Sequence, residues 1–140
     1  EVMSYSIGAS TPVNVGSATG GLTAGKADFS GLSIMHQVDD ASAPMFTSLS
    51  LGDHFPEATM VVRRSGGKKA NKYIQIDFLK IFVSSINYSA SAGEEILMQS
   101  TNFEFGAIKY QYFGQKDDGT EDKPKEMTWS RILNKASFSV

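Results

Sequence analysis

Apolar and polar residues alternate in short runs along most of this chain, with the two-residue period of a β-strand. Met3, Tyr5 and Ile7 alternate with Ser4, Ser6 and Gly8, which predicts a half-buried strand. Phe29, Leu32 and Ile34 restore strand character further on. Met60 and Val62 alternate with Thr59 and Arg63, and Ser65-Gly66-Gly67-Lys68 predicts a turn. Ile74, Ile76 and Phe78 then alternate with Gln75 and Asp77. The denser run Leu79, Ile81, Phe82 and Val83 predicts a stretch covered on both faces. Phe103 and Phe105 keep odd phase, whereas Ile108, Tyr110 and Tyr112 keep even phase. The switch falls at Gly106-Ala107, where a bulge or sharp bend brings both sets to the core side. Met127, Trp129, Arg131 and Leu133 predict a last strand.

One segment has helical spacing. Asp39, Asp40 or Ser42 can cap it, and Pro44 suits the first turn, where its missing N–H costs nothing. Met45 and Leu49 lie four apart with Phe46 beside them, and Gly52 predicts the stop. The remaining stretches are loops. Ala9 to Lys26 is rich in small and polar residues, without periodicity and with too many glycines to hold a rigid element alone. Ser89 to Glu95 and Gln115 to Lys125 complete the set. Short strands, turn signals and one small helix predict an all-β domain over residues 1–140, an antiparallel barrel or sandwich, with no internal repeat.

Composition narrows the function classes. With 140 residues, 41% of them hydrophobic, and nine Phe, the chain can build a core unaided. Cys is absent, which removes disulfides and thiolate metal sites. The net charge is −2 and no basic run exceeds Arg63-Arg64 or Lys68-Lys69, so no footprint for nucleic acid appears. No apolar window is long enough for a membrane helix, and Glu1-Val2-Met3-Ser4-Tyr5 is not a secretory leader. The chain opens at Glu1 in what already reads as strand, so a further N-terminal piece is expected.

Catalytic chemistry is poorly represented. His36 and His54 sit in no metal-ligand spacing, and His54 reads as a turn residue behind the helix. There is no Gly-x-Ser-x-Gly elbow. The carboxylate pairs Asp39-Asp40, Glu94-Glu95 and Asp117-Asp118 fall in loop-like sequence, where turn chemistry and solubility explain them. Gly20-Gly21 and Gly66-Gly67 lack the context of a phosphate loop. Tyr110, Tyr112 and Phe113 near Lys109 have the makings of a base-stacking strip, but strand-spaced core packing accounts for them. No enzyme, cofactor or metal is expected.

The order of these features resembles the Hcp family, the inner-tube protein of bacterial type VI secretion. Gly25-Lys26-Ala27-Asp28 with Leu32-Ser33-Ile34 is similar to that family's loop exit and strand. Pro44, Met45 and Leu49, followed by Gly52-Asp53-His54-Phe55-Pro56, resemble its helix and the turn behind it. Met60-Val61-Val62-Arg63-Arg64-Ser65-Gly66-Gly67 is similar to its next strand and turn, and Tyr73-Ile74-Gln75-Ile76-Asp77-Phe78-Leu79-Lys80 carries the likeness furthest. Phe103-Glu104-Phe105, Ile108-Lys109-Tyr110-Gln111-Tyr112, Trp129-Ser130 and Ala136-Ser137-Phe138 follow in order. At Ile7 the family more often carries an aromatic, and the resemblance implies that the family's first strand lies upstream of Glu1.

The resemblance implies a two-sheet, tail-tube-like β-barrel with one helix, assembling as a hexameric ring. Rings would stack into a tube that is assembled in the cytoplasm, propelled by a sheath, and secreted without a cleaved signal peptide. The implied partners are further copies, the sheath, baseplate and spike proteins, and effectors carried in the lumen, with no nucleic acid and no membrane insertion. On that reading the long loop, through Gly16, Ser17, Gly20, Gly21, Leu22, Gly25 and Lys26, is the ring-stacking element. Ser4, Ser6, Gln75 and Asp77 are candidates to face the lumen. A phage-type tail-tube protein and a monomeric β-sandwich binding module are the alternatives.

Overall fold

Ile74, Ile76 and Phe78 face inward from one strand and meet Val62, Met60 and Ala58 of the strand before it, rung by rung. This ladder is one of several antiparallel pairings in the computed structural model, which describes residues 1–15, 22–64 and 71–140. The elements in chain order are β1 (Val2–Ser10), β2 (Val13–Val15), β3 (Leu22–Ala24), β4 (Asp28–Gln37), α1 (Ser42–Leu51), β5 (His54–Arg63), β6 (Lys72–Ser89), β7 (Met98–Tyr112) and β8 (Lys125–Ser130). The sheet order is β1-β4-β7-β6-β5, with β8 on β7, and β2 pairs β3 separately. The described residues are therefore mostly antiparallel β with one short helix, as the alternation predicts. The turn expected at Ser65-Gly66-Gly67-Lys68 lies outside the described residues.

The chain divides into two compact units. The first comprises Glu1–Thr47 and Val83–Phe103, the second Ser48–Phe82 and Glu104–Val140. In the first, β4 lies between β1 and the opening half of β7, with Leu32 opposite Phe103, Ile34 opposite Thr101 and His36 opposite Gln99. Its core face thus passes from apolar at Leu32 to polar at His36 and Gln99, which are buried. In the second, β5 pairs the opening half of β6, and the closing half of β7 pairs β8. Phe78, Ile81, Phe105 and Ile108 are buried there.

The helix uses the caps that the sequence offers. The backbone N–H of Asp39 donates to Ser42 Oγ at 3.0 Å, and that of Ala41 donates to Asp39 Oδ1 at 3.0 Å. At the other end Gly52 adopts φ +70°. Its N–H donates to the Leu49 carbonyl, and the Asp53 N–H donates to that of Ser48, which is the paired closure of a Schellman motif. The side chains buried on α1 are Ser42 and Ser48, with Met45 and Leu49 half-buried. Phe46 stays exposed and stacks on Tyr88, with centroids 6.4 Å apart.

Four expectations need correction. β1 is not half-buried: only Ile7 is half-covered, and Met3 is 62% exposed. The apolar run after Phe78 is not a strand covered on both faces. Lys80 has φ +52°, and this single left-handed residue shifts the buried set from Ile76 and Phe78 to Ile81 and Val83. Residues 9–26 are not loop throughout, because β1 extends to Ser10 and β2 and β3 form a ladder of their own. The Gly25 N–H donates to the Pro12 carbonyl at 2.8 Å and closes its base. The last strand stops at Ser130 rather than reaching Leu133. There the N–H groups of Arg131 and Ile132 turn to the Gly106 carbonyl. The switch expected at Gly106-Ala107 is present, since Phe105 to Ile108 are buried without interruption.

Candidate functional site

The residues singled out for catalysis or metal binding do not converge. His36 is buried in β4, its Nδ1 2.7 Å from the Gln37 carbonyl. His54 is exposed at the start of β5, with its ring 5.1 Å from that of Phe82. Asp39 serves the helix cap. Glu94 and Glu95 are exposed beside a turn in which the Glu94 N–H donates to the Ser91 carbonyl. Asp118 accepts from both the hydroxyl and the N–H of Thr120, and these bonds hold its carboxyl below the usual range. Among the described residues no group of three His, Asp or Glu could hold a metal ion, and no helix is long and apolar enough to cross a membrane. The aromatic strip is taken up by protein neighbours. Tyr112 packs edge-on against Tyr73 at 5.5 Å, and the Lys72 ammonium lies 5.9 Å from the Phe113 ring.

Two surfaces are built more deliberately. The first is β1. Val2, Met3 and Tyr5 are exposed on a strand that runs from Val2 to Ser10 without a charge, and it is an end strand of the described sheet. Exposed apolar residues on an end strand that carries neither charge nor Pro are an unusual combination, because natural sheets often protect such edges with Lys or Pro. Register shifts between Val2 and Ser4 and between Ile7 and Ala9 break its ladder with β4 at two points. Ser4 and Ser6 are exposed on this strand.

The second surface is the outward face of β5 and β6. Thr59 is opposite Asp77 and Val61 opposite Gln75, so strand alternation places all four on the face away from Ile76 and Phe78. Asp77 Oδ1 accepts from Thr59 Oγ1 at 2.8 Å and from Gln75 Nε2 at 3.0 Å, and Lys109 Nζ pairs with Oδ2 at 3.3 Å. Lys72 Nζ donates to Gln75 Oε1 at 2.9 Å. Burial alone pushes the Asp77 carboxyl up, but the hydrogen bonds from Thr59, Gln75 and Lys109, with the Lys109 charge, outweigh it and hold the group below its usual value. Gln75 and Asp77 are thus linked as the sequence alternation suggests. Alternation alone gave no reason to group Thr59 and Lys109 with them, although their outward phase was the signal available.

Of the proposed stacking residues, Gly16, Ser17, Gly20 and Gly21 lie outside the described residues. Leu22 opens β3, Gly25 closes the base of the β2–β3 ladder, and Lys26 is exposed.

Known proteins agree with this architecture. The chain is 29% identical over 106 residues to "Protein hcp1" of Pseudomonas aeruginosa, a match over 75% of this chain and 65% of that protein's length. It superposes on a solved "type six secretion system protein" with a TM-score of 0.88 and 26% identity, over 97% of this chain and 85% of the other. Hcp1 from Salmonella typhimurium superposes with a TM-score of 0.75 at 21% identity, over 97% and 83% of the two chains, and shows the fold. The family described as "Type VI secretion system effector, Hcp" matches residues 1–112, and the chain belongs to that family.

Proposed function

We propose that this chain is a structural subunit of the type VI secretion inner tube, with no catalytic role. Six copies close into a ring, rings stack into a hollow tube, and effector proteins travel in the lumen. The observation that carries this reading is β1, an uncharged end strand with Val2, Met3 and Tyr5 exposed in the single chain. A second copy laid against it would bury those side chains and satisfy the strand's open edge. Ring closure is a head-to-tail contact, so this surface must meet a different one on the next copy. The β2–β3 ladder and residues 16–21 between its strands serve ring stacking. Ser4, Ser6, Gln75 and Asp77 face the lumen and give it a hydrated wall. The tube assembles in the cytoplasm and leaves without a cleaved signal peptide, in contact with sheath, baseplate and spike proteins.

Light scattering on the purified full-length protein, with negative-stain images of the same peak, tests this reading. A mass of about six chains and rings with an open centre are expected. A clean monomer at high concentration would overturn it and favour a monomeric binding module.

A further inference from the structure

The outward face of the β5–β6 pair, in the second unit, carries charge but leaves little of it open. Lys109 reaches this face from β7, and its ammonium is held by two neighbours. Asp77 Oδ2 lies 3.3 Å from Lys109 Nζ, and the centroid of the Phe138 ring lies 5.0 Å from it. The Lys109 side chain is 29% exposed and that of Asp77 is 14% exposed, so the cation is the more accessible partner. Asp77 is itself fixed in place. Thr59 Oγ1 and Gln75 Nε2 donate to its Oδ1, and Gln75 Nε2 also lies 3.2 Å from Oδ2. Lys72 repeats the pattern, with Nζ 2.9 Å from Gln75 Oε1 and 5.9 Å from the Phe113 ring. Further along β7, Gln111 shares the phase of Lys109 and donates to Glu126, its ladder partner on β8, at 3.2 Å. The polar groups of this face are matched to one another.

A lysine ammonium has three donors and no acceptor. Without the Asp77 charge, Lys109 would keep the Phe138 ring but lose its counter-ion, and its N–H groups would turn to an outside carboxylate. A single exposed ion pair of that kind changes affinity by about fivefold at most. In a ring the same group recurs on every copy, so a flexible acidic chain engages several at once and the weak contacts multiply. We infer that Asp77 determines what this face will hold: by engaging Lys109 within its own chain, it keeps the face from retaining acidic polypeptides. Cargo then passes without being sorted by charge. The inference rests on the lumen placement proposed above, and it makes Asp77 a specificity residue of the wall as well as a part of its hydrogen-bond network.

Fluorescence anisotropy with a labelled decaglutamate peptide, and decalysine as the opposite-charge control, tests this on the full-length protein. The mass of each sample is measured in the same buffer. At low salt Asp77→Asn should bind decaglutamate about fivefold more tightly than the wild type as single chains, and by a larger factor in rings. The gain should vanish at about 1 M salt, where charges are screened beyond about 3 Å. Adding Lys109→Gln to Asp77→Asn should restore wild-type affinity, and decalysine binding should rise in neither variant. Equal decaglutamate binding by the wild type and Asp77→Asn would overturn the inference, as would a gain that survives Lys109→Gln. A gain seen in single chains but not in rings would show that the ring closes this face, and would overturn its role toward cargo. Absence of rings in every sample, with the gain intact, would count against the assembly reading and leave the masking of Lys109 by Asp77 supported.

Discussion

Phe78 on β6 and Phe105 on β7 meet with ring centroids 5.0 Å apart at a tilt of 54°. Each is the last core residue of its strand before the inward phase changes, at Lys80 on one strand and at Gly106 on the other. The contact therefore holds together the two places where long strands change register with the core. Phe78 is 1% exposed. Phe78→Ala should cost about 3–5 kcal/mol, the usual range for emptying an aromatic core site. Phe78→Asp should prevent folding, since an unpaired carboxylate cannot be accommodated there. Denaturant midpoints and the yield of soluble protein check both. A soluble, folded Phe78→Asp protein would show that this face is not core.

The backbone at Lys80 and at Gly52 supports a paired test. Both residues sit in the left-handed region, at φ +52° and +70°. A side chain there costs about 1–2 kcal/mol, and a glycine in a strand carries an entropic penalty of about 0.5–1 kcal/mol. Lys80→Gly should therefore stabilise by about 0.5–1 kcal/mol, although it places glycine inside a strand. Gly52→Ala should destabilise by about 1 kcal/mol, from backbone strain alone, because nothing lies within 4 Å of the added methyl. Thermal unfolding of the two variants beside the wild type reads both signs.

The polar face of β6 gives a pH prediction. The Asp77 carboxyl titrates below its unfolded value near 3.8, so its ionised form is favoured by folding. That contribution is fully present above the unfolded value and is lost as pH falls through the lower folded one. Asp77→Asn should flatten the stability profile below about pH 4 and cost up to about 1 kcal/mol at neutral pH, less in high salt. Urea titrations at pH 7 and pH 3 measure the difference. Equal acid sensitivity in both proteins would mean that Asp77 does not contribute to it.

The β2–β3 ladder can be removed without touching the rungs of β1 on β4, which run to Ser10 opposite Asp28. Deleting Val13 to Ala24 should leave the melting temperature within a few degrees, because the Pro12–Gly25 rung already brings the cut ends together. The same deletion should shorten or abolish stacked tubes in electron micrographs while single rings persist. Long tubes from the deleted protein would remove this element from stacking.

Much of this architecture was legible in the alternation. Met60, Val62, Ile74, Ile76 and Phe78 keep a strict two-residue rhythm because one unbroken ladder orders them all. The helix was legible because caps are local: Asp39, Ser42 and Gly52 act within a few residues of their own position. The phase change at Gly106 was legible because glycine marks such places, whereas the one at Lys80 carried no residue signal. A lysine with positive φ is imposed by its neighbours and not by its own preference. Tyr5 and Met3 misled for a different reason. Alternation reports that a face is meant to be covered, without saying whether the cover comes from the same chain. The pairing of His36 with Gln99, 63 positions apart, depends on register between distant strands and left no trace in spacing.

The uncharged length of β1 also bears on the protein's life before assembly. An end strand with exposed apolar side chains and no gatekeeping charge can template wrong pairings as readily as right ones. Under the assembly proposed above, each newly made copy is in a race between docking and coalescing with other unfinished copies. The outcome depends on how quickly correct partners arrive. A burst of synthesis should favour ordered growth only while growing ends are plentiful, and beyond that point it should yield amorphous precipitate.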